Sequence, residues 1–207
     1  MTAAEDVETK ILDGAMRVIA DRPWGKVALI DIAREAGVSM AELYRHYRSK
    51  HAVLCGIHRR VDQEMLAAPV DAGSAKDRLF DVLMRRFDAL AALKPAFKTG
   101  VEELRRGRLA SLEAGLVGGF LLHRSMIWGL EAAGLEGSCV TNDLRAKILG
   151  VAYLSAFRIW LDDDSPDLTK TMAALDKNLG RAVGFMKIRE ESAQADPGSS
   201  ENDAYAN

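Results

Sequence analysis

The chain has 207 residues, 48% of them hydrophobic and 28% charged, with a net charge of −2. That composition is ordinary for a folded globular protein with a real core and excludes a polycation, so any nucleic-acid binding has to come from a local basic patch. Cys55 and Cys139 lie far apart without a CxxC partner, which excludes a disulfide framework and a thiol zinc site; both read as small buried apolar residues in a reducing compartment.

Residues 1–10 are polar and acidic, unlike a signal peptide. The most apolar run, 115–122, is broken by His123 and Arg124 and is too short to span a bilayer. The expectation is a soluble, cytoplasmic protein. Helical periodicity dominates and no alternating strand pattern occurs, so the predicted class is all-α.

In chain order, the first predicted helix covers 7–20, with Ile11, Ala15, Val18 and Ile19 on its apolar face, and is broken by the sequence DRPWG at 21–25. A second helix covers 29–36 and stops at Gly37, a residue suited to a left-handed cap. A third opens at Ser39, a good N-cap, and runs to about 47; a fourth covers 49–67. Residues 69–74 read as a linker. Ser74 with Asp77 resembles a capping box for a long helix over 75–93, whose Leu79, Leu83, Phe87 and Leu90 share one face. Pro95 opens the next helix, to about 106. Long helices follow over 111–133, 140–161 and 167–187, the last with Ser165 as N-cap and Pro166 at its first position. The polar stretch 189–207 reads as a disordered tail. The organisation expected is therefore 1–68 as one unit, 69–188 as a second, and the tail.

The informative stretch is VALIDIAREAGVSMAELYRHYRSKHAVL, residues 27–54. Two short helices meet at a glycine; Val38 fills the angle, Ile32, Ala33 and Ala36 face inward on the first, and Leu43 and Tyr47 on the second. This is helix-turn-helix patterning, in which the second helix enters the DNA major groove. From residue 39 to residue 60 there are five Lys or Arg against one acid, Glu42, a local net of +4. Such a patch suits a handful of phosphates; on charge alone, Arg45, Arg48, Arg59 and Arg60 also read as solvated helix faces.

The segment resembles the TetR family of bacterial transcription regulators, whose signature is roughly IA..AGVS.GTLY.HF.SK..L. The chain supplies Ile32-Ala33, Ala36-Gly37-Val38-Ser39, Leu43-Tyr44, His46-Tyr47, Ser49-Lys50 and Leu54 in the same register. The resemblance implies that Tyr44 and His46 reach the DNA backbone, that Lys50 contacts a phosphate, that Ser39 and Met40 open the recognition helix, and that Arg45 reads bases. The chain departs from the signature at Ala41-Glu42, where Gly-Thr is usual. Glu42 either accepts from cytosine N4, or caps its own helix, or pairs with Arg45 or His46.

Beyond residue 69 there is no GxGxxG, P-loop or HExxH pattern, His46 and His51 have no metal-ligand spacing, and nothing indicates an enzyme, a cofactor or a metal. The resemblance implies an apolar ligand pocket here, for which Phe87, Phe120, Trp128, Tyr153 and Phe157 are candidates; core packing is the alternative for each. It also implies a homodimer through the last two long helices, with Val151, Leu154, Phe157 and Leu161 on one and Met172, Leu175, Leu179, Val183 and Met186 on the other. A dimer would read a palindromic operator in double-stranded DNA. A second resemblance, carried by residues 78–88 and 160–167, is to the TetR-fold lipid-binding proteins of ubiquinone biosynthesis. Two readings follow: a repressor released by a hydrophobic effector, or a lipid-binding accessory protein of quinone metabolism that does not bind DNA.

Overall fold

In the computed structural model, residues 3–70, 73–107, 109–135 and 137–186 are described, and among them every regular element is a helix. The expected tail and the expectation placed on residues 187 to 207 lie outside that set. Among the described residues, nine α-helices follow in order: α1 (Ala3–Asp21), α2 (Leu29–Ala36), α3 (Met40–His46), α4 (Lys50–Met65), α5 (Ala75–Leu90), α6 (Lys94–Arg105), α7 (Leu109–Ala132), α8 (Cys139–Leu161) and α9 (Thr169–Met186).

α1 buries Ile11, Leu12, Ala15 and Val18 at helical spacing against α2 and α4. It comes unusually close to α2: a Cβ added at Gly14 would stand 2.8–2.9 Å from Ala36 backbone and side-chain atoms. Arg17 braces the same contact from outside, donating from Nε to Glu35 Oε1 at 2.6 Å. α4 leads into α5, which packs against α4, α7 and α9 and supplies the centre of the core. Its stripe Leu79, Val82, Leu83, Phe87 and Leu90 is buried. Phe87 stacks on Tyr153 of α8 with ring centroids 4.7 Å apart, and Trp160 lies behind at 5.8 Å.

The sequence pattern over 75–93 is not one helix. α5 ends at Leu90, a 3-10 turn covers Ala91–Leu93, and α6 starts at Lys94 with Pro95 in its first turn. Pro95 lacks the N–H an interior position needs, so the chain restarts there. The start of α9 is also later than expected. Pro166 lies in a turn, Leu168 takes φ 49°, and the helix begins at Thr169. The anchor is Asp163, only 1% exposed: its Oδ1 accepts from the Ser165 backbone and hydroxyl, and its Oδ2 from the Thr171 backbone at 2.8 Å and hydroxyl at 2.7 Å. Burial alone would raise the Asp163 carboxyl, but these bonds override it and hold the group far below the usual carboxylate range. Ser165 still contributes, accepting from the Thr169 N–H.

Neither cysteine is fully buried. Cys55 is half-buried, and Cys139 is exposed as the first residue of α8. α7 and α8 carry apolar residues on all sides. Leu116, Phe120 and Trp128 on α7 and Val140, Leu144, Val151 and Leu154 on α8 are exposed. A helix apolar all round is ordinarily covered on all sides.

Candidate nucleic-acid interface and neighbouring cavity

α2, α3 and the turn between them form the helix-turn-helix. Gly37 adopts φ 66°, the left-handed conformation that closes α2, and its N–H bonds to Arg34 O. Val38 packs into the angle, with its N–H on Ala33 O at 3.0 Å. Ile32, Ala33, Ala36, Leu43 and Tyr47 are all buried. Tyr47 ties the unit to its neighbours: its hydroxyl donates to Glu8 on α1 at 2.8 Å, and its ring occupies the space a Cβ at Gly56 on α4 would need. Burial, then the Glu8 carboxylate, hold that hydroxyl well above the ordinary tyrosine range.

The outward face of α3 presents Met40, Ala41, Tyr44 and Arg45, followed by exposed Arg48; Tyr44 is 61% exposed. Glu42 is not on that face. Ser39 Oγ accepts from the Glu42 N–H at 3.2 Å, while Glu42 Oε2 accepts from the Ser39 N–H at 2.8 Å and hydroxyl at 2.7 Å. This reciprocal capping box satisfies the first donors of α3. The bonds from Ser39, then the positive charge of Arg45, hold the carboxylate below its ordinary range. The family's threonine position is thus filled by a residue that finishes its own helix. His46 is half-buried at the end of α3.

Lys50 sits differently from an outstretched phosphate ligand. Its ammonium donates to Trp24 O and lies 4.3 Å from the Trp24 ring centroid. Of the other cations between residues 39 and 60, Arg60 pairs with Asp13 on α1, while Arg45, Arg48 and Arg59 are exposed. The basic surface is therefore narrower than the sequence count of five.

Trp24 also forms part of a second feature. A cavity of about 410 Å³ lies between α1, residues 22–24 and α4 on one side and α5–α8 on the other, within the roughly 300–1,000 Å³ range of small-molecule pockets. Its walls include Pro23, Trp24, Ile57, Leu90, Phe97 and Phe157. Of the five residues expected to line a pocket, Tyr153 and Phe157 do. Phe87 is in the core behind Tyr153, and Phe120 and Trp128, 63% and 55% exposed, are on the outer surface of α7. Both outer residues follow the apolar pattern of α7, which does not distinguish an inward from an outward face. Gly115, Gly118 and Gly119 do lie on the cavity wall.

One side of the cavity is polar. Arg86 of α5 is 3% exposed; its Nη1 donates to Asp62 Oδ1 and its Nη2 lies 3.1 Å from His58 Nε2. Asp62 also accepts from Ser125 Oγ at 2.7 Å and lies 3.3 Å from His58 Nδ1. Burial raises the Asp62 carboxyl, but the bonds from His58 and Ser125 and the Arg86 charge bring it below the usual range. Tyr153 is 2% exposed, and burial pushes its hydroxyl up to about 12. None of Asp62, Arg86 or His58 stood out as a functional residue in the sequence. The available signal was an arginine at position 86 inside the apolar stripe of 79, 82, 83, 87 and 90.

No helix among the described residues is long and apolar enough to cross a membrane, and no group of metal-ligating side chains occurs among them.

Residues 11–55 match the family profile described as bacterial regulatory proteins, tetR family. Among solved structures, a TetR transcriptional regulator from Nitrosomonas europaea ATCC 19718 is 24% identical, with a TM-score of 0.64, covering 86% of this chain and 98% of its own. A TetR transcriptional regulator from Rhodococcus sp. RHA1 is 17% identical with a TM-score of 0.57, covering 88% of this chain and 97% of its own. GusR of Salmonella enterica is 17% identical with a TM-score of 0.59, covering 91% and 99% respectively. These establish a shared fold. No curated protein matches the chain by sequence.

Proposed function

We propose that this chain, which carries a tetR-family N-terminal domain in a TetR fold, is a non-enzymatic transcriptional regulator that binds a palindromic operator as a homodimer and is released by an apolar effector. The observation that carries the reading is the outward face of α3. Met40, Tyr44 and Arg45 are exposed together on a short helix whose start is fixed by the Ser39–Glu42 box and whose back is buried. A rigid helix with one exposed arginine and one exposed tyrosine suits a major groove: Arg45 reads a guanine edge, and Tyr44, His46 and Arg48 position the helix on phosphates.

The same reading assigns residues 1–68 to DNA binding and 69–188 to effector binding and dimerisation. The exposed apolar row on α8, Val140, Leu144, Val151 and Leu154, with Met172 and Phe185 on α9, supports a helix-bundle interface. Leu161, Leu175, Leu179 and Met186, expected in that interface, are buried in their own protomer. Release follows from the cavity wall. An occupant touching Pro23 and Trp24 touches the segment that holds Lys50 at the start of α4. An effector shifts the head only through its different affinity for two head positions. The cavity would serve a lipid-binding accessory protein equally well, so DNA binding decides between the readings. Selection from a random-sequence duplex library should enrich one inverted repeat. In the resulting site, Arg45→Ala should relax base preference, whereas Arg48→Ala should weaken all duplexes alike. Enrichment of no sequence would remove the regulator reading.

A further inference from the structure

The cavity's polar side contains an unfinished hydrogen-bond inventory. Arg86 spends two of its nitrogens on Asp62 and His58, yet its Nε–H is buried without a partner, and so is the Tyr153 hydroxyl. Both side chains are at least nine-tenths buried and both line the cavity. Arg86 also acts on the Tyr153 hydroxyl, through its charge and a loose hydrogen-bonding contact in which arginine can only donate, so the Tyr153 O–H proton stays uncommitted. Buried donors are ordinarily satisfied, and one left open marks a functional or ligand-facing group.

The charge of the cluster is fixed by its geometry. Arginine only donates. His58 Nε2 therefore accepts from Arg86 Nη2, which puts the ring proton on Nδ1, the atom facing Asp62 Oδ2. A neutral histidine beside an Arg86–Asp62 pair gives a cluster with no net charge. A second carboxylate brought into it would be a buried charge without its own counterion, which is costly. Both open groups offer a proton, and most of the remaining wall is apolar, with Leu54, Ile57, Leu90, Phe97 and Phe157 among it; Arg22, also on the wall, is half-exposed and already lies 3.5 Å from Asp31.

We propose that Arg86 Nε and the Tyr153 hydroxyl are the polar anchor of this cavity, and that its ligand is an uncharged apolar molecule bearing a carbonyl-type acceptor oxygen, such as a ketone or ester. The assignment rests on the effector-binding reading and names the chemical class that site takes. Arg86 carries a double duty. It holds α4 to α5 through Asp62, and its Nε–H is the donor left over for an occupant. Tyr153, stacked on Phe87, is held too firmly to turn away and find another partner.

The test uses the full chain and three probes with one carbon skeleton, a phenyl ring on a six-carbon chain: hexanophenone, hexylbenzene and 6-phenylhexanoate. Binding is followed by tryptophan fluorescence, since Trp24 lines the cavity, and checked by saturation-transfer NMR. The ketone should bind about tenfold more tightly than the hydrocarbon, as two hydrogen bonds of ordinary strength require, and more tightly than the carboxylate. Tyr153→Phe removes only the hydroxyl. It should cut the ketone's advantage several-fold while leaving hexylbenzene affinity unchanged. Arg86→Met leaves Asp62 buried and unpaired and is prone to misfold, so Tyr153→Phe is the deciding variant. Equal binding of ketone and hydrocarbon to the unaltered protein overturns the anchor and leaves the cavity an effector site. Tightest binding by the carboxylate overturns the uncharged class. No saturable binding by any probe overturns both this assignment and the effector-binding reading beneath it.

Discussion

Gly14 offers a sharp test of how the first two helices are packed. A Cβ at this position meets Ala36 N at 2.8 Å and both Ala36 carbons, Cα and Cβ, at 2.9 Å. Two of those atoms are backbone, so no rotamer relieves the contact, and α1 and α2 must separate by roughly 0.6–0.7 Å to reach an ordinary ~3.5 Å carbon contact. Overpacking of this kind costs about 1–3 kcal/mol. The helix-propensity gain of Ala over Gly returns roughly 0.5–1 kcal/mol, leaving Gly14→Ala net destabilised by about 1 kcal/mol. In a chain of this length that is a drop in Tm of roughly 2–4 °C. Gly100, inside α6, has nothing within 4 Å of its added Cβ, so Gly100→Ala should gain roughly 1–4 °C from propensity alone. Thermal melts followed by circular dichroism compare the two variants directly. If Gly14→Ala melts as high as Gly100→Ala, the close approach of α1 to α2 is wrong, and with it the account of how the helix-turn-helix is held.

Two further outcomes follow from the rest of the chain. Asp62 has a folded pKa below its unfolded value, so the unfolded state binds more protons and stability rises with pH. That contribution is complete above the ordinary carboxylate pKa of about 3.9 and fades as pH falls through the lower folded value. Urea midpoints for the unaltered protein and Asp62→Asn should therefore converge as pH drops below about 4; a gap constant from pH 6 to 3 would refute the pairing of Asp62 with Arg86. Val151 is 67% exposed on α8, so Val151→Asp should leave the fold intact while sedimentation shifts from dimer to monomer. An unaltered mass would place the subunit contact elsewhere.

The helix-turn-helix was readable because its constraints are local. Gly37 sits where φ must be positive, Ser39 where a cap is needed, and Ile32, Ala33, Ala36 and Leu43 where a 3.6-residue period turns inward. Which of Glu42's possible roles it takes was not readable, because base contact, ion pairing and capping all suit a glutamate three residues after a serine. The structure turns it back on Ser39. Long apolar helices gave less. Phe120 and Trp128 share α7 with buried Met126 and Leu130, and a helix apolar on every side carries no sign of which face is inward. The start of α9 was misplaced because Ser165-Pro166 imitates a helix opening, while the true anchor, Asp163, bonds forward to Thr171. Trp24 read only as part of a break, since its role depends on Lys50, 26 residues further on.

The central claim is that the exposed face of α3 recognises a particular DNA sequence. The most direct measurement is fluorescence anisotropy of the purified chain on its selected duplex and on a scrambled duplex, at two salt concentrations. The account predicts saturable binding with a preference of roughly a thousandfold or more, and affinity for both duplexes that falls steeply with salt. Equal affinity for the two duplexes at both salt concentrations, from a protein that is folded and dimeric, would contradict it.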